Sequence, residues 1–296
     1  MKKISIIGLS GNSLFYELDK LPIKGETLKA KDFYMEVGGK GYNQAIACKR
    51  LGLDVYYLSA IGDDINGKAC IEFMEKEGVN HKFVIKDAPT ATASILKASD
   101  SSNEVIVYHG ANNLLDINDL KQFEKYIINS DCLLLTYEIP YDVLKEAVKI
   151  AKENNILLVI NPAPYIYDDL ELLKEADIIC PNEVEFEQMC KTKIECINQL
   201  KEVYLKSGLG KMVITLGSKG ACICDKDKFQ LIDACKVDAI DTTGAGDVFN
   251  AALCFGLLNE MKIEEACNFA SLASGISVTR KYVMNAIPKI KELIEE

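Results

Sequence analysis

Asp241-Thr242-Thr243-Gly244-Ala245-Gly246-Asp247 sets two glycines and a carboxylate where a helix begins, for Val248, Ala252, Phe255 and Leu258 follow at helical spacing. Gly244 and Gly246 let a ligand approach the main chain, and the free N–H groups of a first helical turn point outward beside the positive end of the helix dipole. Such a place holds an anion. Asp247 adds a group that takes up a proton as negative charge builds nearby, and an anion cradle with a base is the equipment for phosphoryl transfer to a hydroxyl. By itself the stretch reads equally well as Asp and Thr capping a helix.

A second glycine-rich helix start, Gly38-Gly39-Lys40-Gly41-Tyr42-Asn43-Gln44, supplies a complement. Its glycines permit close backbone approach, Lys40 brings a point charge, and Asn43 projects from the first turn toward the same space. Alone, it is also a loop-to-helix corner with a solvated lysine. Gly62-Asp63-Asp64-Ile65-Asn66-Gly67-Lys68-Ala69 matches the first part of a phosphate-binding loop, but Ala69 stands where a magnesium-binding hydroxyl is required, and Asp63 and Asp64 would repel phosphates. A structural turn is expected there.

The elements that must carry these stretches alternate. Lys3 to Leu9 reads as a buried strand left by a turn at Gly8, Gly11 and Asn12, and Leu28 to Met35 as a short strand. A helix from Tyr42 to Leu51 ends at Gly52, a strand runs from Val55 to Ile61, and a helix from Gly67 to Glu77 ends at Gly78. Ala91 to Lys97 and Glu104 to His109 alternate about a polar link and read as a hairpin. Beyond residue 116, helices at 118–129, 141–153 and 183–190 alternate with strands at 132–137, 156–161 and 177–180; strands at 211–216, 221–224 and 229–232 precede helices near 246–259, 263–279 and 288–295. Continuous Ile, Leu and Val strands between amphipathic helices imply an α/β fold with a mostly parallel sheet covered on both faces. A chain of 296 residues accommodates this as one domain, residues 1–296, with a small β-rich appendage from segments near 12–36 and 88–110.

Composition narrows the function classes. The net charge of −10 argues against nucleic-acid and anionic-membrane partners, which require basic patches, so a polyanionic ligand needs a local site with a cation. Eleven cysteines contain no CxxC pair, and two histidines, His81 and His109, give neither zinc spacing nor a Cys-His pair. The cysteines read as reduced, mostly buried apolar filler in a cytoplasmic protein. The apolar run after Met1-Lys2-Lys3 is interrupted at Ser5 and over by Gly8, too short for a signal-peptide core.

Gly38-Gly39-Lys40-Gly41-x-Asn43-Gln44-Ala45 and Asp241-Thr242-x-Gly244-Ala245-Gly246-Asp247-x-Phe249 resemble the N- and C-terminal signatures of the ribokinase family of carbohydrate kinases, also called the phosphofructokinase B family. Gly25-Glu26-Thr27, Asn161-Pro162-Ala163-Pro164, Pro181-Asn182-Glu183-x-Glu185 and Thr215-Leu216-Gly217-Ser218-Lys219-Gly220 fall in the family's order and spacing, so the resemblance covers nearly the whole chain. It implies a ribokinase-like fold whose β appendage is a lid, often paired between subunits in the family; the alternating segments at 91–97 and 104–109, which a monomer would leave partly open, motivate the expectation of a homodimer through that lid. It implies Asp247 as the base, Gly244, Ala245 and Gly246 as the hole for the γ-phosphoryl group of ATP, and Asn182 with Glu185 as a pair associated with Mg²⁺ and phosphate. By the same resemblance Thr215, Gly217, Ser218 and Gly220 form a nucleotide-contacting turn, and Gly39, Lys40, Asn43 and Glu138 contact the substrate. Two departures stand out. Ser13 falls where ribokinases carry an Asp that pairs with the sugar, and Val278-Thr279-Arg280 runs into Lys281-Tyr282-Val283-Met284 rather than the Gly-containing loop that helps hold a monovalent cation such as K⁺. Asp241 remains as a contributor to such a site. The expectation is an ATP- and Mg²⁺-dependent kinase acting on a primary hydroxyl of a small sugar, with a nucleoside kinase and a catalytically silent sugar binder as alternatives.

Overall fold

The computed structural model describes residues 1–294 apart from 101 and 227. In chain order the strands are β1 (Lys3–Ile7), β2 (Gly11–Leu18), β3 (Asp32–Gly38), β4 (Asp54–Gly62), β5 (Asn80–Lys86), β6 (Ala91–Ala98), β7 (Asn103–Tyr108), β8 (Cys132–Thr136), β9 (Leu157–Asn161), β10 (Ile178–Ile179), β11 (Met212–Thr215), β12 (Ala221–Asp225) and β13 (Lys228–Ile232). The helices are α1 (Lys40–Arg50), α2 (Ile65–Glu77), α3 (Ile117–Ile128), α4 (Tyr141–Glu153), α5 (Leu170–Lys174), α6 (Glu183–Cys190), α7 (Ile197–Ser207), α8 (Ala245–Leu258), α9 (Ile263–Val278) and α10 (Lys291–Ile294).

Nine strands form one sheet in the order β13-β12-β11-β10-β9-β8-β1-β4-β5, parallel from β11 to β5 and antiparallel only at β12 and β13. Successive side chains on a strand face opposite ways, so the apolar runs fill two cores. Ile4, Ile6, Leu134, Val159 and Val213 pack with α1, α8 and α9 on one face, while Ile7, Leu133, Leu135, Leu158 and Ile160 pack with α3, α4 and α7 on the other. Each such side chain contributes roughly 1.5–3 kcal/mol on burial, which outweighs any weak local preference of the strands.

The remaining four strands make a separate small sheet, β3-β2-β6-β7, in which β2 runs parallel to β6 and antiparallel to β3. The β6–β7 pair is antiparallel, as the hairpin reading requires, although its link includes residue 101, outside the described residues. Registers Ser13↔Glu36, Ser13↔Ala93 and Glu17↔Lys97 put Ser13, Phe15, Glu36 and Lys97 on one face. The other face carries Tyr16, Phe33 and Met35 beside Ile106 and Tyr108.

Several expectations shift. Gly11 is not a turn residue but the first residue of β2; a Cβ there would lie 2.1 Å from the Ala91 carbonyl oxygen, so glycine is required by the close approach of β6. The strand expected at 28–35 begins only at Asp32 and continues to Gly38. β5, α5 and α7 were not expected, although Ile197, Leu200 and Tyr204 of α7 recur at helical spacing and pack into the core. The last helix is confined to Lys291–Ile294, and residue 295 of the expected span lies outside the described residues. The phosphate-loop look-alike is a structural turn: Asp64 caps α2 by accepting from Gly67 N–H at 2.8 Å, and also accepts from Thr90 N–H and hydroxyl, both at 2.7 Å. Among the described residues no helix is long and apolar enough to cross a membrane.

Candidate active site

The parallel strands share one carboxyl-terminal edge, where ligands of such sheets bind. The two glycine-rich helix starts meet there. At the end of β1, Gly8 and Gly41 cross so closely that a Cβ on either would lie 2.6 Å from the Cα of the other. Gly39, at φ 124°, would drive a Cβ to 2.1 Å from the Leu9 carbonyl oxygen. These glycines press the start of α1 onto the strand end, and Asn43 and Gln44 then reach the first turn of α8. Asn43 Nδ2 donates to Asp247 Oδ2 at 2.7 Å, and Gln44 Nε2 donates to Asp247 Oδ1 at 3.1 Å and to Asn161 Oδ1 at 3.1 Å. Asn161 closes β9 and is itself fixed by donating to the Cys180 carbonyl at 2.7 Å. Asn43 keeps a buried, unpartnered Oδ1, an acceptor available to a ligand hydroxyl.

Asp247 is 7% exposed, and burial raises its pKa even though Lys40, Asn43 and Gln44 favour the charged form. Hydrogen bonds to a charge contribute roughly 1.5–3 kcal/mol each, while removing a carboxylate from water costs several, so a net rise is reasonable. Glu138, just beyond β8, accepts from Gly41 N–H at 3.2 Å. Burial, offset in part by Lys40 and reinforced by the neighbouring Asp247 charge, carries its pKa to about 7. Desolvation works against the Lys40 ammonium, but Asp247, Glu138 and Glu185 together hold its pKa above the ordinary value. One ammonium therefore faces three carboxylates.

α8 starts at Gly244, φ 78°, with no side-chain cap, and a Cβ at Gly244 would strike the Val283 methyl Cγ1 at 2.7 Å. A Cβ at Gly246 would meet no atom within 4 Å. The uncapped turn of Gly244, Ala245 and Gly246 thus opens onto free space with Asp247 beneath it, a geometry able to hold an anion beside a base.

Asn182 and Thr215 form an isolated parallel bridge between the ends of β10 and β11, so the expected nucleotide residues are brought together. Gly217, Ser218 and Lys219 make a single 3₁₀ turn after β11, and Gly220 packs where a Cβ would lie 2.0 Å from the Ile232 carbonyl oxygen. Glu185 is not an exposed helical glutamate: it is 7% exposed, and its Oε2 accepts Asn182 N–H at 2.8 Å while Asn182 Oδ1 accepts Glu185 N–H at 2.8 Å. This capping box accounts for the NxxE spacing structurally, yet it leaves Oε1 without a hydrogen bond among the described residues. No cluster of three His, Cys, Asp or Glu among the described residues could cage a metal ion. The donor set instead suits a largely hydrated Mg²⁺ shared with phosphates, which need few protein carboxylates.

Ser13 faces the same space, since a Cβ on Gly38 would meet Ser13 Oγ at 3.1 Å and Asn43 Oδ1 at 3.5 Å. Asp241 lies at the head of the turn, but its carboxylate is engaged by Lys97 Nζ at 2.7 Å. Gln44 was legible only as a letter of the GGKGxNQ motif; its grip on Asp247 was not. Glu36, which accepts Val283 N–H at 2.7 Å and Met284 N–H at 3.0 Å, carried no sequence signal.

The sequence matches the pfkB family of carbohydrate kinases over residues 1–290. The chain belongs to that family. A ribokinase of Haemophilus influenzae is 38% identical over 276 residues, 92% of this chain and 90% of that protein. A solved ribokinase from Giardia lamblia superposes with a TM-score of 0.93 at 31% identity, over 99% of this chain and 98% of its own. A ribokinase of Arabidopsis thaliana, solved with ribose and ATP, superposes at 0.88 and 27% identity, over 99% and 97%. The pfkB-family chain is thus a ribokinase-like sugar kinase, a phosphotransferase with an alcohol acceptor, of an ATP-dependent family.

In this pfkB-family site the open space over Gly246 is the part most easily perturbed without touching the core. Gly246→Ala is expected to leave the melting temperature unchanged and to lower kcat at least about tenfold by placing a methyl in the anion's space. Unaltered turnover in the folded variant would remove Gly246 from the anion site.

Proposed function

We propose that the protein transfers the γ-phosphoryl group of ATP to the primary hydroxyl of a small free sugar, with ribose the first candidate. One observation carries the reading: a buried carboxylate, Asp247, lies under an uncapped helix start and is held by Asn43 and Gln44, with Lys40 and Glu138 alongside. Asn43 Oδ1, Glu138 and Ser13 accept the sugar's hydroxyls, and Lys40 donates to an oxygen. Asp247 takes the proton of the attacking hydroxyl as the oxygen bonds to phosphorus and the ADP oxygen departs. The N–H groups of Gly244, Ala245 and Gly246 stabilise the charge on the transferring group, and Thr215, Gly217, Ser218 and Gly220 hold the nucleotide beside Asn182. Glu185 would help hold Mg²⁺, which when bound with the phosphates would offset the negative charge that three carboxylates and one ammonium otherwise repel.

The small sheet acts as a lid within a single kinase domain, its inner face carrying Ser13 to the sugar and excluding water, so that the hydroxyl rather than solvent is the acceptor. Its outer face and free edge leave Phe33, Met35, Ile106 and Tyr108 about half exposed, an apolar surface suited to pairing with a second copy. Ser13 replaces a carboxylate acceptor, so discrimination among sugars should differ from that of relatives that keep it.

Coupled ADP release across ribose, 2-deoxyribose, fructose and adenosine is expected to show turnover with a free sugar, and Asp247→Asn to lower kcat at least about 100-fold with ATP affinity little changed. Sugar binding without turnover would favour a silent binder, and a variant keeping more than about a tenth of kcat would sink the base assignment. Glu138 gives a separate handle on pH. Its carboxyl protonates as pH falls through about 7 and becomes a poorer acceptor, so sugar KM should rise toward acid. Glu138→Gln should abolish that rise; a wild-type KM flat between about pH 6 and 8 would contradict it.

A further inference from the structure

Asp241 opens the turn that ends in the helix start of α8, 144 residues from the lysine that reaches it. Its side chain is 10% exposed and that of Lys97 is 27% exposed. Asp241 Oδ1 accepts the Thr243 N–H at 3.0 Å and the Thr243 hydroxyl at 2.7 Å, while Oδ2 takes the Lys97 ammonium at 2.7 Å and the Tyr282 N–H at 3.4 Å. Burial opposes the charge, but Lys97 and Thr243 hold its pKa below the ordinary range. Lys97 comes from the inner face of the small sheet, where its ammonium lies 5.0 Å over the Phe15 ring.

The monovalent-cation site implied by the ribokinase resemblance does not fit these residues. A potassium site needs oxygen acceptors. The loop after Arg280 instead turns its N–H donors inward, Tyr282 toward Asp241 and Val283 and Met284 toward Glu36. Tyr282 is further fixed by stacking on Tyr34 of β3, ring centroids 3.6 Å apart. The remaining carboxylate oxygen of Asp241 already has a cation on it, and that cation is covalently part of the chain.

We propose that Lys97 is a tethered monovalent cation. Its ammonium balances Asp241 and fixes the turn from Asp241 to Gly244 as a bound ion otherwise would, so phosphoryl transfer needs no added potassium. Lys97 is a positioning residue; it acts on the anion-binding turn and not on substrate. Glu36 works from the same sheet face, because the loop it holds brings Val283 against Gly244. Seating the small sheet and setting the anion hole are therefore one event. The inference rests on the kinase reading above, and its test includes a readout that does not.

The experiment compares wild type with Lys97→Met at a constant ionic strength of about 0.1 M, in potassium, sodium and choline chloride. Wild-type kcat is expected to be the same in all three. Lys97→Met should lose at least about tenfold in choline and regain several-fold in potassium or methylammonium. Independently of any substrate, its melting temperature should rise with potassium while that of wild type does not, since only the variant has a vacant cation position to be filled by mass action. Lys97→Gln serves the same comparison if the methionine variant does not fold. Several-fold potassium activation of wild type would overturn the proposal. So would a variant as active as wild type in choline, or a folded one whose rate and melting temperature no cation changes. If wild type turns over no sugar, the kinase reading fails separately, and the thermal comparison still decides the role of Lys97.

Discussion

The structure depends on a buried carboxylate held across the chain. Asp247 sits at the first turn of α8, and the two amides that bind it come from the start of α1, more than 200 residues earlier. Such a charge is tolerated only if donors are aimed at it, and donors on short side chains demand that two helix starts meet almost in contact. The Gly8–Gly41 crossing makes that approach possible, and the packing of α1 and α8 on one face of the sheet keeps it. Catalytic geometry and fold are therefore one constraint: whatever separates the helices strips the carboxylate of its partners.

Around this centre the charges are unbalanced on purpose of chemistry rather than stability. Burial raises the pKa of Glu138, Glu185 and Asp247 alike, although Lys40 favours the charged form of each. An apolar filling would cost the fold less, but it could neither accept a proton nor organise hydroxyls. Under the proposed function a divalent cation bound to phosphates would offset the excess negative charge, since no cluster of three His, Cys, Asp or Glu among the described residues could cage one. The small sheet completes the arrangement from above, contributing Ser13 near Asn43, Glu36 under the Val283 loop and Lys97 on Asp241.

Much of this was legible in residue order. The two glycine-rich helix starts read as ligand-facing corners in combination, since each alone reads equally well as a helix cap or a loop-to-helix corner. The continuous apolar strands from 132 to 216 specified a parallel sheet because burial on both faces removes polar alternation. Less legible were features set by distant neighbours. Gly11 resembled a turn residue, yet the Ala91 backbone dictates its glycine. Glu185 was legible only as half of the pair with Asn182, and the capping box in which the fold buries it was not. Lys97 gave no signal at all, since a lysine on an alternating strand looks solvated until the carboxylate facing it is known.

The most direct test of the account is the acid limb of the kcat–pH profile in Gln44→Met, a near-isosteric change at a fully buried position. Gln44 donates to Asp247 and stabilises its charged form, so removing that donor raises the carboxyl pKa, and protonation then silences the base at higher pH. The account predicts an acid limb displaced to higher pH by about half a unit to one unit, with the plateau rate retained at alkaline pH. A folded variant with an unmoved limb would show that the group titrating in turnover is not the carboxylate held between the two helix starts.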